Sequence, residues 1–307
     1  MSAIAVLEGA KPMTPETSED QKSDTPIADP KKAKSSLLPR VLSALVLAPL
    51  VIGLIWYGDW PFSVLIAGAA LILASEWRGL VFGEQGGRVE QALMSAASLS
   101  GIGAVQFGME LIGITLAASF MMLALTYVTW KKIPLTRIAL GFPYIVLPAM
   151  VLVWLRADVE WGAAAIVWLF VTIWATDSFA YFAGKTFGGP KLAPVLSPNK
   201  TWAGLIGGSI GAALFGAACA LYLGSAPVIL LATLSAVLAV ISQAGDITQS
   251  SLKRQAGVKD SGNIIPGHGG LLDRVDGLLF AAVAAAIIAL LHHLGVENPA
   301  ASLLVWP

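Results

Sequence analysis

The sequence predicts an all-α polytopic membrane protein of about nine transmembrane helices, with its site in cytoplasmic loops and helix ends of the C-terminal half. Three observations predict this. Of 307 residues, 56% are hydrophobic and only 12% charged, too apolar for an ordinary soluble domain. Long windows free of charge alternate with short charged loops. Nearly all Lys and Arg fall in alternate loops, as repeated bilayer crossings require.

Residues 1–36, rich in Pro, Ser, Thr, Asp, Glu and Lys, cannot bury enough apolar surface to offset ordering entropy, and a disordered tail is expected. The tail lacks the basic start and immediate apolar core of a cleaved leader. Lys31, Lys32, Lys34 and Arg40 give it a basic end that could rest on a membrane, although a plain solvated tail suffices. A hydrocarbon core of about 30 Å takes roughly 20 apolar helical residues. On that scale the spans are 38–57, 60–76, 91–107, 109–130 and 138–155 in an N-terminal region over 37–160. A C-terminal region over 161–307 adds 162–183, 203–223, 226–244 and 277–294, interrupted by charged loops at 184–202 and 245–276.

Within the spans, Gly68, Gly101, Gly103, Gly207, Gly208 and Gly211 read as close helix packing. Trp56, Trp60, Trp77, Trp130 and Trp161 sit at span ends, where an interfacial aromatic belt is expected. The single cysteine, Cys219, excludes an internal disulfide, and with three histidines a zinc site of the usual N/S type is not expected.

With a cytoplasmic N-terminus, eighteen of the nineteen Lys and Arg residues fall on the cytoplasmic side and only Arg156 outside. Both charged loops then face the cytoplasm.

The loop from Asp246 to Asp276 carries four aspartates, two lysines, two arginines and a histidine between apolar helices. Carboxylates suit hard cations such as Mg²⁺, and Lys and Arg suit phosphate oxygens; together they describe phosphoryl or nucleotidyl transfer. If the eighth span continues as a helix, Asp246, Ser250, Lys253 and Arg254, at offsets 0, 4, 7 and 8, share one face. A solvated helix end would show the same pattern. Gly262-Asn263 and Pro266-Gly267 then break the helix, and Gly267, Gly269 and Gly270 flank His268, giving a backbone that can approach phosphate. Asp273 and Asp276 can share a face at the mouth of the last span, where with Asp246 they could hold one or two Mg²⁺ ions; an Asp-Arg-Asp helix start with mutual ion pairs is the plainer alternative. In the earlier loop Asp177, Tyr181 and Lys185, at offsets 0, 4 and 8, form another helical face.

Ser250-x-Leu252-Lys253-Arg254, Lys259-Asp260, Gly262, Pro266, His268-Gly269-Gly270 and Asp273-Arg274-x-Asp276 resemble, without a gap, the signature of the phosphatidate cytidylyltransferases, the CDP-diacylglycerol synthases. The segment from Trp174 through Asp177, Tyr181, Lys185 and Gly188 to Ser197-Pro198-Asn199-Lys200-Thr201-Trp202 resembles the family's other hallmark region. One departure is Asn199, where many members carry a second lysine, leaving Lys200 as the surer phosphate ligand.

The resemblance implies that phosphatidic acid attacks the α-phosphorus of CTP, releasing pyrophosphate and forming CDP-diacylglycerol. Asp246 and Asp273 are then the first choices for Mg²⁺, with Asp276, Asp260 and Asp177 as further ligands or orienting groups. Lys200, Lys253, Arg254, Lys259 and Arg274 would neutralise phosphates, and His268 would donate to one rather than act as an obligatory base. Ser197, Ser250, Thr201, Tyr181, Lys185, Gly269 and Gly270 complete the expected substrate-binding set. A homodimer in a bacterial plasma membrane is also expected, with no nucleic-acid partner. A related CTP-dependent enzyme with another lipid acceptor, or a transporter, would share the hydropathy. A transporter, however, would hold its ionisable residues near the midplane in broken helices.

Overall fold

The computed structural model describes residues 45–83, 86–264, 269–292 and 298–306. The tail with Lys31, Lys32, Lys34 and Arg40 lies outside the described residues, as do Pro266, Gly267 and His268. Every predicted span corresponds to a helix. These are α1 (Leu45–Tyr57), α2 (Asp59–Phe82), α3 (Arg88–Gln106), α4 (Glu110–Trp130), α5 (Thr136–Ala157), α6 (Gly162–Phe187), α7 (Trp202–Leu223), α8 (Val228–Gln255) and α9 (Leu272–Leu291), with a short α10 (Ala301–Leu304) behind them. Among the described residues, seven of these are long and apolar enough to cross a bilayer. The count of nine is not met on that measure among the described residues, which hold only Leu45–Tyr57 of α1, and α3 is diluted by its serines and glutamines.

Helix α5 is the centre of the molecule, 72% buried over its most apolar window, and α2, α3, α4, α6 and α9 pack around it. Ile138, Ile145 and Leu155 are fully buried there. By contrast α4 is only 22% buried and presents Leu111, Ile112, Ile114, Met122 and Leu123 outward, as a lipid-facing helix must. On the C-terminal side α6, α7, α8 and α9 pack in sequence.

The α6–α7 seam shows what small residues allow. A Cβ on Gly208 would come within 2.8 Å of the Thr176 carbonyl oxygen, and one on Gly207 or Gly211 would collide with Ala183 or Phe179. Gly101 is equally tight, against Met150, but Gly68 and Gly103 have nothing within 4 Å. Those two are not internal packing residues. Trp56 and Trp130 are strongly exposed, as the aromatic belt expects, whereas Trp77 is 2% exposed and belongs to the core, beside Tyr144. A Trp close to a charged loop looks interfacial in sequence; here α2 runs on to Phe82 and takes Trp77 inside.

Two boundaries differ in ways that matter. Helix α8 continues 11 residues past its predicted end at 244, which gives Asp246, Lys253 and Arg254 a rigid mount. Helix α9 begins at Leu272 rather than 277, so Asp273, Arg274 and Asp276 lie inside its first turns. Between α6 and α7 the predicted loop holds a small antiparallel hairpin, β1 (Lys191–Ala193) with β2 (Ser197–Thr201).

Candidate active site

Helix α6 carries Asp177, Tyr181 and Lys185 on the predicted face, and all three line one cleft of about 440 Å³ with Asn199, Lys200, Thr201, Gln243 and Asp246. The hairpin delivers Lys200 to its wall: Lys200 Nζ meets Asp246 Oδ2 at 2.5 Å. Gln243, one turn before Asp246 on α8, donates to Asp177 Oδ1 at 3.4 Å. Thr201 has a structural task as well, because its Oγ1 accepts from Gly204 N at 3.0 Å and caps α7.

Where α8 crosses α9, Asp246 comes up against the start of α9: a Cβ on Gly277 would lie 3.4 Å from Asp246 Oδ1, and the Gly277 N–H donates to Asp276 Oδ1 at 2.9 Å. Gly245 makes the approach possible, since a Cβ there would fall 2.6 Å from the Asp276 carbonyl oxygen. Gly245→Ala must therefore push the two helices apart. A displacement of about 1 Å at reacting groups costs on the order of a hundredfold in rate. We expect such a loss in Gly245→Ala with helical content by circular dichroism unchanged; full activity would show that the spacing is not critical.

A second knot lies just beyond. Asp273 accepts from Lys253 Nζ at 2.6 Å on Oδ1, and from Ser261 N at 2.8 Å and Gly270 N at 3.3 Å on Oδ2. Each carboxylate chosen first from the sequence is thus held by a lysine. Gly269 adopts φ +80°, and a Cβ on Gly270 would strike Ser261 and Glu76, so these glycines serve the turn and its packing. Ser250 is half-buried on α8, one turn past Asp246. The structure does not draw Arg254, Lys259, Asp260 and Arg274 inward; they are exposed on the adjoining helix ends and loop. Ser197 is half-buried on β2, and His268 lies outside the described residues.

The sequence reading missed Glu76. This carboxylate of α2 is 4% exposed and accepts from Leu271 N at 2.8 Å, Leu272 N at 2.7 Å and Ser261 Oγ at 3.2 Å. It caps α9, where unpaired N–H groups and the helix dipole favour an anion. A lone acid at the end of an apolar run was the available signal.

The oxygen-only donors Asp246, Asp273 and Asp276 have the chemistry that Mg²⁺ prefers. Among the described residues no three His, Cys, Asp or Glu side chains gather into a cage. Mg²⁺ needs none, because it typically takes one or two carboxylates and fills its shell with water and phosphate.

Residues 38–292 match the model of the cytidylyltransferase family. The chain belongs to that family. It is 36% identical over 250 residues to a phosphatidate cytidylyltransferase of Brucella abortus, covering 81% of this chain and 91% of that protein. It is 39% identical over 275 residues to one of Pseudomonas aeruginosa, covering 82% and 97%. A Rickettsia felis protein of the same name is 31% identical over 269 residues, covering 85% and 95%. The matched range takes in α1 to α9 as described, both hallmark segments and Glu76, so cytidylyltransferase membership extends well beyond the signature that suggested it.

Proposed function

We infer that the protein transfers CMP from CTP to phosphatidic acid, forming CDP-diacylglycerol and pyrophosphate for phospholipid synthesis. The observation that carries this is the convergence of both hallmark segments on Asp246, in a chain aligned nearly end to end with phosphatidate cytidylyltransferases. The nucleophile is a phosphomonoester oxygen, already ionised, so the site needs no strong general base. Its bond to the α-phosphorus forms as the bond to pyrophosphate breaks.

The residues divide the work. Asp246 and one further aspartate, Asp273 or Asp276, would hold Mg²⁺, and the remaining one, with Asp177 and Asp260, would orient it or serve a second cation. Bound there, Mg²⁺ supplies positive charge to the triphosphate oxygens. Lys200 and Lys253, already at the carboxylates, would also be within the site to receive phosphate oxygens. Arg254, Lys259 and Arg274, at the surface of the same region, would neutralise the triphosphate and the lipid phosphate. Tyr181, Lys185, Ser197, Thr201, Ser250, Gly269 and Gly270 line or shape the nucleotide's approach, and His268 donates to a phosphate.

The one-sided distribution of Lys and Arg supports a cytoplasmic N-terminus, and the bacterial relatives support a plasma membrane. A homodimer belongs to the same reading; the open surfaces at Gly68 and Gly103 are small-residue patches of the kind that helices close upon in lipid.

Purified protein in mixed micelles with phosphatidic acid, CTP and Mg²⁺ should release pyrophosphate, and omission of the lipid should stop it. Chelation should abolish release and excess Mg²⁺ restore it. Lipid-independent release, or none at all from folded protein, would refute the assignment.

A further inference from the structure

Helix α8 separates two clefts. Gln243 and Asp246 face the polar one, whereas Ile241, Thr248 and Leu252, which a 3.6-residue period places on the opposite face, line an apolar one between α5, α8 and α9. That apolar cleft holds about 430 Å³, within the roughly 300–1,000 Å³ of ligand-sized cavities.

Its α9 wall has a direction. Asp276, Phe280, Val283 and Ile287 recur at helical spacing on one face, with Ala284 beside them, so a carboxylate heads two turns of apolar surface. At the head stands Tyr144 of α5, its ring edge on Phe280 with centroids 5.7 Å apart. The Tyr144 side chain belongs to a residue 8% exposed, and its hydroxyl has no hydrogen-bond partner among the described residues. Phe280 in turn lies against Gly245, where a Cβ would be 3.2 Å from its ring and 2.6 Å from the Asp276 carbonyl oxygen, so Tyr144 stands beside the crossing of α8 and α9 that carries Asp246 and Asp276. A buried hydroxyl left unpaired costs free energy, and one placed between a carboxylate cluster and a greasy slot awaits an oxygen that belongs to an amphiphile.

We propose that this cleft holds an acyl chain of the phosphatidic acid, with the Tyr144 hydroxyl donating to an oxygen of its head. The proposal rests on the cytidylyltransferase reading for the identity of the head group. It gives the two substrates separate approaches to Asp246 and Asp276, the nucleotide through the polar cleft and the lipid along α9. Depth then becomes a chain-length filter: Ala284 lies eight residues past Asp276, about 12 Å along the helix.

Two variants and one labelling experiment test it. Ala284→Trp fills the lower cleft; kcat/KM for dioleoyl phosphatidic acid should fall at least about tenfold while that for the dihexanoyl lipid and the KM for CTP hold. Tyr144→Phe removes only the hydroxyl and should lower turnover with both lipids by roughly ten- to a hundredfold. Equal effects of Ala284→Trp on both chain lengths, or none on either, would overturn the proposal. Independently of turnover, a photoreactive group near the end of a phosphatidic acid acyl chain should label residues 140–148 or 283–287. Excess phosphatidic acid should suppress that labelling and phosphatidylcholine should not. Equal competition by both lipids would mean bulk lipid only and would also overturn the proposal. Selective labelling without pyrophosphate release would keep the cleft and reject the reaction.

Discussion

Asp246→Ala should abolish turnover, with at least a hundredfold to thousandfold loss of pyrophosphate release, while the protein still inserts in the membrane. Three arguments converge on that size. Asp246 is the residue on which the polar cleft, the Lys200 ion pair and the start of α9 meet. Removing one group that stabilises developing charge in a water-poor site typically costs about 10²–10³ in rate. Loss of the carboxylate also strands Lys200, whose side chain is 19% exposed, and unpairing a half-buried cation costs on the order of 1–3 kcal/mol. Asp246→Asn keeps the shape and isolates the charge. It should be as inactive as the alanine variant yet melt closer to the wild type. Wild-type turnover in either variant would remove Asp246 from the metal and phosphate chemistry.

Glu76→Ala should be the most destabilising single change in the site. The side chain satisfies two backbone N–H groups and a serine hydroxyl in a place that is 4% exposed, and truncation leaves all three unpaired. Each buried unsatisfied donor costs about 1–3 kcal/mol, so a total of roughly 3–9 kcal/mol is expected. The damage reaches function because Ser261 is shared: its Oγ donates to Glu76 and its N–H to Asp273. Loosening one end frees the other. Faster tryptic cleavage after Lys259, a lower melting temperature and lost activity should appear together. Glu76→Gln keeps one acceptor oxygen and should fall between. A melting temperature and tryptic pattern like the wild type's in Glu76→Ala would show that the clamp is dispensable.

Local periodicity carried a good deal of the site. Asp177, Tyr181 and Lys185 share a cleft because a 3.6-residue helix leaves them no other face, and the same rule puts Asp246 and Lys253 on one face of α8, two turns apart. Hydropathy found α1 to α9, but it missed the short α10 and misjudged the helix ends. A window that rejects charge stops α8 before Asp246 and starts α9 after Asp276, although the charges there are paired in the fold. Glu76 shows the limit of such reasoning. Its partners lie 185 to 196 residues away, and nothing near it in the chain announces them. Thr201 illustrates the converse, since a residue placed in the binding set by resemblance also spends its hydroxyl on capping α7. Tyr144 escaped notice because an aromatic residue in a span ordinarily means packing, and what sets it apart is a buried hydroxyl with no partner among the described residues.

The length of α8 has a further consequence. Its 28 residues extend about 42 Å, against a hydrocarbon thickness of roughly 30 Å. Asp246 sits about 27 Å from the helix start, and Lys253 about 10 Å farther. The helix is thus a depth gauge, fixing how far below the water surface a soluble nucleotide must descend and how far a lipid phosphate must rise. Membrane thickness becomes a reaction variable in its own right: a thinner bilayer lifts the carboxylates towards the headgroups, a thicker one sinks them, and neither change touches a single side chain.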